Sequence, residues 1–324
     1  MKLVTFTDST QQQKIGLLAS DRILIEIGAG FAALGLARPP KDMIALITDQ
    51  DHCLPACSKI LKSFEDKSLP QSALHDITHV TLLSPIPRPL SMRDGYAFRQ
   101  HVEAARRNRG VPMIPEFDHF PIYYYTNHLA VTGPGPIAVQ KLAREKLDFE
   151  LEVAVVIGKQ GQNISASQAD DHIFGYMIMN DWSARALQME EMKLNLGPAK
   201  GKDFATSLGP VLVTRDELAI HAIPSPSGER HDLRMKCLVN GKQVSDGNLK
   251  DMTWTFAQIV ERISYGVTVY PGEVIGSGTV GTGCFLELNG SKITDNQWLK
   301  PGDEVVLEVD ALGTLNNTIV AADA

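Results

Sequence analysis

The chain has 324 residues, 44% of them apolar, and a formal net charge of −7. That length suits one large domain or two smaller ones around a sizeable core. The acid excess, with Arg106, Arg107 and Arg109 as the one short basic cluster, argues against a nucleic-acid partner, and no apolar run is long enough to span a membrane.

In chain order, the opening MKLVTFTDST turns polar too early for a signal peptide. Residues 2–27 read as short strands, KLVTF, KIGLLA and RILIEI, around a turn at Ser20-Asp21. Helical patterns follow near Asp42–Thr48 and Ala56–Phe64. Cys53 and Cys57, with Cys237 and Cys284, are too few for a disulfide scaffold and lack a second pair at zinc-ligand spacing. Free thiols in a reducing, cytoplasmic setting are expected. The proline-rich LLSPIPRP (82–89) reads as an extended linker. A domain boundary is therefore expected near residue 80, separating a small N-terminal α/β domain (1–80) from a larger one (81–324).

Beyond it, Met92–Arg109 has helical spacing and GPGPIAV opens a strand region. DFELEVAVVIG (148–158) and HIFGYMIMN (172–180) read as strands. DWSARALQMEEM reads as a helix with Asp181 at its N-cap position. SLGPVLVT is a strand, and KCLVNGKQV is a hairpin with Asn240-Gly241 as a type I′ turn. MTWTFAQIVERIS is an amphipathic helix. From residue 273 short β-runs alternate with glycine-rich turns, FLELNG and DEVVLEV among them. The expected class is mixed, β-dominated α+β, without the regular strand–helix alternation of a doubly wound sheet.

Four segments carry chemistry. On the strand 148–158, alternation puts Phe149, Leu151, Val153, Val155 and Ile157 on one face and Asp148, Glu150, Glu152, Ala154 and Val156 on the other. Such an acidic face is ordinarily solvated. Here it continues into Ala154 and Val156, and buried unpaired carboxylates are costly, so Glu150 and Glu152 with Asp181 read as ligands of a hard cation. Asp148 has no assigned role and is expected to end the strand in solvent. In RDGYAFRQH, Asp94 offers a fourth carboxylate and His101, at i+7 on a continuous helix, a candidate general base. In GPAKGKDFATS, Lys202 lies in a glycine-containing loop without P-loop spacing; it is either a surface lysine or a charge partner for the carboxylates. In GSGTVGTGCFLELNG, Glu287 stands between two leucines on an expected strand, either edge-exposed or buried beside a base.

Together, in order over roughly residues 80–324, these segments resemble the fumarylacetoacetate hydrolase family. DFELEVAVVIG resembles its E-x-E metal strand, and MNDWSARALQ its N-D-x-[ST]-A-R-D-x-Q segment, with Ala186 where Asp is common. GKDFAT resembles G-K-S-F-x-T, with Asp203 for Ser, and SGTVGTGCFLE resembles S-G-T…L-E. DGYAFRQH is similar to the D-x-Y-x-x-R-Q-H segment of fumarylacetoacetate hydrolase proper. Met192 stands where a substrate tyrosine is expected, and Gly110, beside Arg109, where a substrate arginine is expected.

The resemblance implies a β-roll catalytic domain and a homodimer. It implies a divalent cation, Mg²⁺ or Ca²⁺ with Mn²⁺ also compatible, at Asp94, Glu150, Glu152 and Asp181, with Lys202 and Thr206 alongside. His101, oriented by Glu287, would activate water, and Lys202, Arg185 and Gln188 would hold oxyanion charge. Tyr96, Tyr124, Arg109 and Thr279 would contact substrate. The implied reaction is hydrolysis of a C–C bond in a small β-diketo acid, fumarylacetoacetate or an acylpyruvate. The alternative is a lyase of the same fold acting on oxaloacetate or an unsaturated 2-keto acid.

Overall fold

A computed structural model describes residues 1–322. Its centre is the strand Leu151–Ile157, all seven residues buried, paired antiparallel with Ile173–Asp181 in the register Leu151 opposite Asn180 and Val153 opposite Ile178. Both strands are rich in β-branched and large apolar residues and are covered on both faces, which such near-continuous apolar runs require. Alternation decides what each face meets. Phe149, Leu151, Val153, Val155 and Ile157 join the main apolar cluster, whereas Ala154 and Val156 join a second one.

These strands belong to a 13-stranded sheet. On one side of the central pair run Val274–Gly276, Met92–Gly95 and Tyr123–Tyr125; on the other run Leu212–Thr214 and then the N-terminal strands Lys2–Thr7, Gln13–Leu18, Ile23–Glu26 and Leu74–Asp76. Leu3 pairs with Leu212, so the first residues extend the same sheet. A five-stranded sheet, ordered Lys242–Asn248, Arg234–Val239, Glu304–Val309, Gly313–Ala321 and Gly135–Val139, packs over the main cluster through Met235, Cys237, Leu307 and Ile319. The opposite face, at Ala154, Val156, Met177 and Leu212, is covered by Phe31, Leu46, Ile47 and Ile60 from the helices Ile27–Ala33, Met43–Thr48 and Gln50–Glu65. The first of these helices was not expected.

Local expectations hold where short-range chemistry decides. Asn240 (φ 51°) and Gly241 (φ 76°) turn the hairpin between Arg234–Val239 and Lys242–Asn248. Thr255 and Gln258 form a capping box on the helix Phe256–Ser264.

Four expectations need correction. Met92–Arg109 is not one helix: Met92–Gly95 is a strand parallel to Val274–Gly276, and the helix is Arg99–Asn108. A Cβ on Gly95 would come within 3.1 Å of the Gly276 carbonyl, so close sheet packing there overrides the helical spacing. Asp181 does not cap a helix but ends its strand, and the helix begins at Arg185. Glu287 lies on a short helix, Phe285–Gly290, not on a strand; so short a segment fits either state, and here tertiary partners choose. Asp148 is fully buried rather than solvated.

Candidate active site

Three chain segments bring four carboxylates together at the central strand. Glu150 precedes it and Glu152 lies within it; Asp181 ends the neighbouring strand; Asp94 comes from Met92–Gly95, opposite Gly276 in the ladder. One carboxylate oxygen from each can be chosen so that all four lie within 4.8 Å of one another, and all four residues are buried. Only a tertiary sheet can do this, because the other two acids, Asp94 and Asp181, are separated from the E-x-E pair by dozens of residues.

Backbone and cationic groups hold the cluster. The Gly278 amide donates to Asp94 Oδ1 (3.0 Å) and Glu152 Oε2 (3.1 Å), and the Thr279 hydroxyl to Glu152 Oε1 (3.4 Å). Lys202 Nζ donates to Glu150 (2.5 Å) and Asp181 (2.6 Å). Tyr124 donates its hydroxyl to Asp181 Oδ2 (2.5 Å), while Asp181 Oδ1 is buried without a partner. Thr206 is buried opposite Asp181 in the ladder.

The electrostatics divide these acids. Burial, then the neighbouring carboxylates, push Asp94 and Glu152 well above the ordinary carboxylate range. Burial also raises Asp181, against the pull of Lys202. For Glu150 burial is outweighed by Lys202 and Arg185, and its carboxyl is lowered to about 2. Lys202 is itself held above its ordinary value, burial being more than offset by Asp181 and Glu150. Crowded acids and an orphaned Asp181 oxygen are what a divalent cation would resolve, and an all-oxygen donor set suits a hard ion such as Mg²⁺, Ca²⁺ or Mn²⁺. The fit is therefore good.

Beside the cluster, His101 Nδ1 lies 2.7 Å from Glu287 Oε2, both buried. Glu287 Oε1 accepts from the Thr282 amide (2.9 Å), so both of its oxygens are engaged. The ring of Tyr96 stands edge-on to His101 at 5.7 Å, and burial pushes the Tyr96 phenol up to about 12. Gln188 accepts from Arg185 Nη1 (3.0 Å). Arg109 is exposed at the end of the helix Arg99–Asn108 and donates to the Ala105 carbonyl, so it does not join the cluster's contacts.

Three participants escaped sequence reasoning. Asp148 accepts from Arg185 Nε (2.9 Å) and from the amides of Phe285 (2.7 Å) and Leu286 (2.9 Å), which open the Glu287 helix. Arg185 in turn reaches Glu150 (2.7 Å). Asn180 fixes the Glu150 amide through its Oδ1 (2.9 Å). Gly278 acts through its backbone, which no residue type announces. The signal for Asp148 was present, since alternation places it on the face of Glu150 and Glu152.

A buried four-carboxylate cluster beside a His–Glu pair, set on a sheet-dominated α+β fold, has the make-up of an enzyme active site with an all-oxygen cation position. Residues 91–320 match the family model "Fumarylacetoacetate (FAA) hydrolase C-terminal", and the chain belongs to the fumarylacetoacetate hydrolase family. Among curated relatives, oxaloacetate tautomerase YisK of Bacillus subtilis (strain 168) is 30% identical over 314 residues, covering 94% of this chain and 95% of that protein. The mitochondrial oxaloacetate tautomerase FAHD2A of Homo sapiens is 31% identical over 297 residues, covering 90% and 85%. Among solved structures, fumarylacetoacetate hydrolase from Exiguobacterium antarcticum aligns with a TM-score of 0.70 at 23% identity, covering 99% of this chain and 100% of that one. Maleylpyruvate hydrolase from Sphingobium sp. SYK-6, in complex with manganese(II) and pyruvate, aligns at 0.70 and 21% identity, covering 100% of each. These two likenesses establish the β-roll fold. Among the described residues no helix is long and apolar enough to cross a membrane.

Proposed function

We propose that this chain is a divalent-cation-dependent enzyme that interconverts the enol and keto forms of oxaloacetate or a close 2-oxo diacid. The observation that carries the reading is the junction of an oxygen-ligand cluster with the His101–Glu287 pair. It is supported by relatives aligned over almost the whole chain that are named for oxaloacetate. A base with an orienting carboxylate serves proton abstraction from carbon as readily as water activation, so the pair does not by itself favour C–C hydrolysis. Of the two substrate classes raised by the sequence, oxaloacetate is therefore preferred to a β-diketo acid.

Asp94, Glu150, Glu152 and Asp181 would hold the cation, which when bound supplies Lewis-acid polarisation of the 2-oxo group. With Nδ1 engaged by Glu287, His101 offers Nε2 to take the proton from C3 of the keto form. Glu287 stabilises the imidazolium that results. Lys202, kept charged by its two acids, balances negative charge growing on O2, and O2 takes its proton from solvent. Ketonisation runs the same path backwards: the His101 imidazolium delivers its proton to C3 while O2 gives its proton to solvent, and His101 exchanges its proton with solvent between turnovers. Tyr96 packs edge-on against the imidazole.

A substrate panel tests this. Enol-to-keto conversion of oxaloacetate, followed by loss of enol absorbance, should outpace oxaloacetate decarboxylation and hydrolysis of fumarylacetoacetate or acylpyruvates with Mg²⁺ or Mn²⁺ present. Faster hydrolysis of any diketo acid would replace the tautomerase reading with the hydrolase one. The homodimer implied by family resemblance is part of the proposal, and sedimentation of the full chain tests it.

A further inference from the structure

Four thiols are buried, but they do not share an environment. Cys53 and Cys57 lie in the apolar cluster under the N-terminal helices, and Cys237 lies in the main cluster. Cys284 belongs to neither cluster, although it is fully buried. Its Sγ instead faces the candidate active site: Cys284, His101 and Glu150 each offer one ligand atom, all within 4.8 Å of one another. The set is thiolate, imidazole and carboxylate, the donor mixture of a borderline-soft ion, whereas the adjacent cluster is all oxygen. Imidazole presentation is also in place. Glu287 holds Nδ1, leaving Nε2 as the ligand nitrogen, the carboxylate–histidine arrangement common behind bound zinc. Glu150 stands in both groups, so the two positions are neighbours sharing one carboxylate, whose oxygens are paired with Arg185 and Lys202 and one of which a bound ion takes over.

We propose that His101, Cys284 and Glu150 form a second cation site, selective for thiophilic divalent ions of the Zn²⁺ class. Three protein ligands leave a fourth position for water or substrate oxygen. Cys284 binds as thiolate, its proton passing to solvent. Ligation consumes the His101 Nε2 lone pair that the proposed reaction uses at C3. A Zn²⁺ ion there therefore inhibits the enzyme, while hard ions at the neighbouring carboxylates support it. The inhibition rests on the tautomerase reading above; the binding does not.

Cobalt(II) added to the chelator-stripped full-length protein tests the site directly. A thiolate-to-cobalt charge-transfer band is expected in the near ultraviolet, present in Cys237→Ser and lost in Cys284→Ser. Competition titration of Zn²⁺ should show binding weakened by more than about tenfold in Cys284→Ser, since loss of a ligand exceeds loss of a ligand's support. No thiolate band in the wild-type protein, or a band that survives Cys284→Ser, overturns the proposal. If Cys284→Ser does not fold, ¹¹³Cd resonance on the wild-type protein decides: a shift characteristic of sulfur ligation supports the site, and only an all-oxygen resonance overturns it. Absence of oxaloacetate activity with the cobalt band present would sink the tautomerase reading and leave the cation site standing.

Discussion

Asp94 and Glu152 are acids in a place that favours their protonated forms. Burial and neighbouring carboxylates raise both above the range they hold in an unfolded chain. In the cation-free protein, stability from these two groups is therefore fully present below ordinary carboxylate values and is lost as pH rises through the raised ones. A cation needs the ionised forms, so binding must expel protons. Mn²⁺ should bind more tightly as pH rises, with proton release seen by calorimetry in buffers of different ionisation enthalpy. Affinity that ignores pH, with no proton release, would show that these acids are not ligands. At this scale the sequence was informative: an E-x-E face running into Ala154 and Val156 signalled burial, and Lys202 followed as a charge partner. Asp148 was misjudged because a strand end was equated with a solvent end. Its burial depends on the Phe285 and Leu286 amides, more than a hundred residues away in the chain.

Elements, more than residues, set the distance between base and carboxylates. The helix Phe285–Gly290 has no side-chain cap from Cys284, its N-cap residue; Asp148 satisfies its first amides from across the sheet. Asp148→Asn removes one of the two carboxylates that face Arg185 and leaves Glu150 as its remaining partner; breaking a buried pair of this kind costs at most about 3–5 kcal/mol. Chemical denaturation should show a loss within that bound, and a change within experimental error would mean that the pair adds no net stability. Gly278 is the second control point. It takes φ 77°, and a Cβ there would lie 2.7 Å from the Gly95 carbonyl. Gly278→Ala should cost roughly 1–3 kcal/mol through backbone strain. It should also weaken Mn²⁺ binding by moving the amide shared by Asp94 and Glu152. Unchanged affinity would argue that this amide does not position them. Element type was legible where local chemistry dominates, as at Asn240-Gly241 and the Thr255 cap. It was not legible at Met92–Gly95 or Phe285–Gly290, where short segments fit either state and sheet partners choose.

For the whole molecule, the N-terminal segment closes the sheet that carries the site. Its strands continue the sheet from Leu212–Thr214, and its helices cover Ala154, Val156, Met177 and Met179, farther along the sheet face that carries Glu150 and Glu152. A fragment of residues 81–324 would expose that apolar face together with an unpaired strand edge. It should aggregate or fail to fold, judged by soluble yield and gel filtration; a monodisperse, cation-binding fragment would show the segment to be dispensable. The β-dominated class was readable from the succession of short strands, but the layering was not, because it depends on which faces of distant strands meet. The family was readable from four ordered motifs, while the reaction was not, because a His–Glu pair beside a cation cluster suits several reactions of 2-oxo acids. The most direct measurement is therefore the enol-to-keto rate of oxaloacetate in chelator-stripped enzyme, before and after adding back Mn²⁺, for the wild type and for Glu152→Gln and His101→Ala. The account predicts an inactive stripped enzyme, full recovery in the wild type and none in either variant. A stripped wild type, or a His101→Ala variant, that retains the full rate would contradict it.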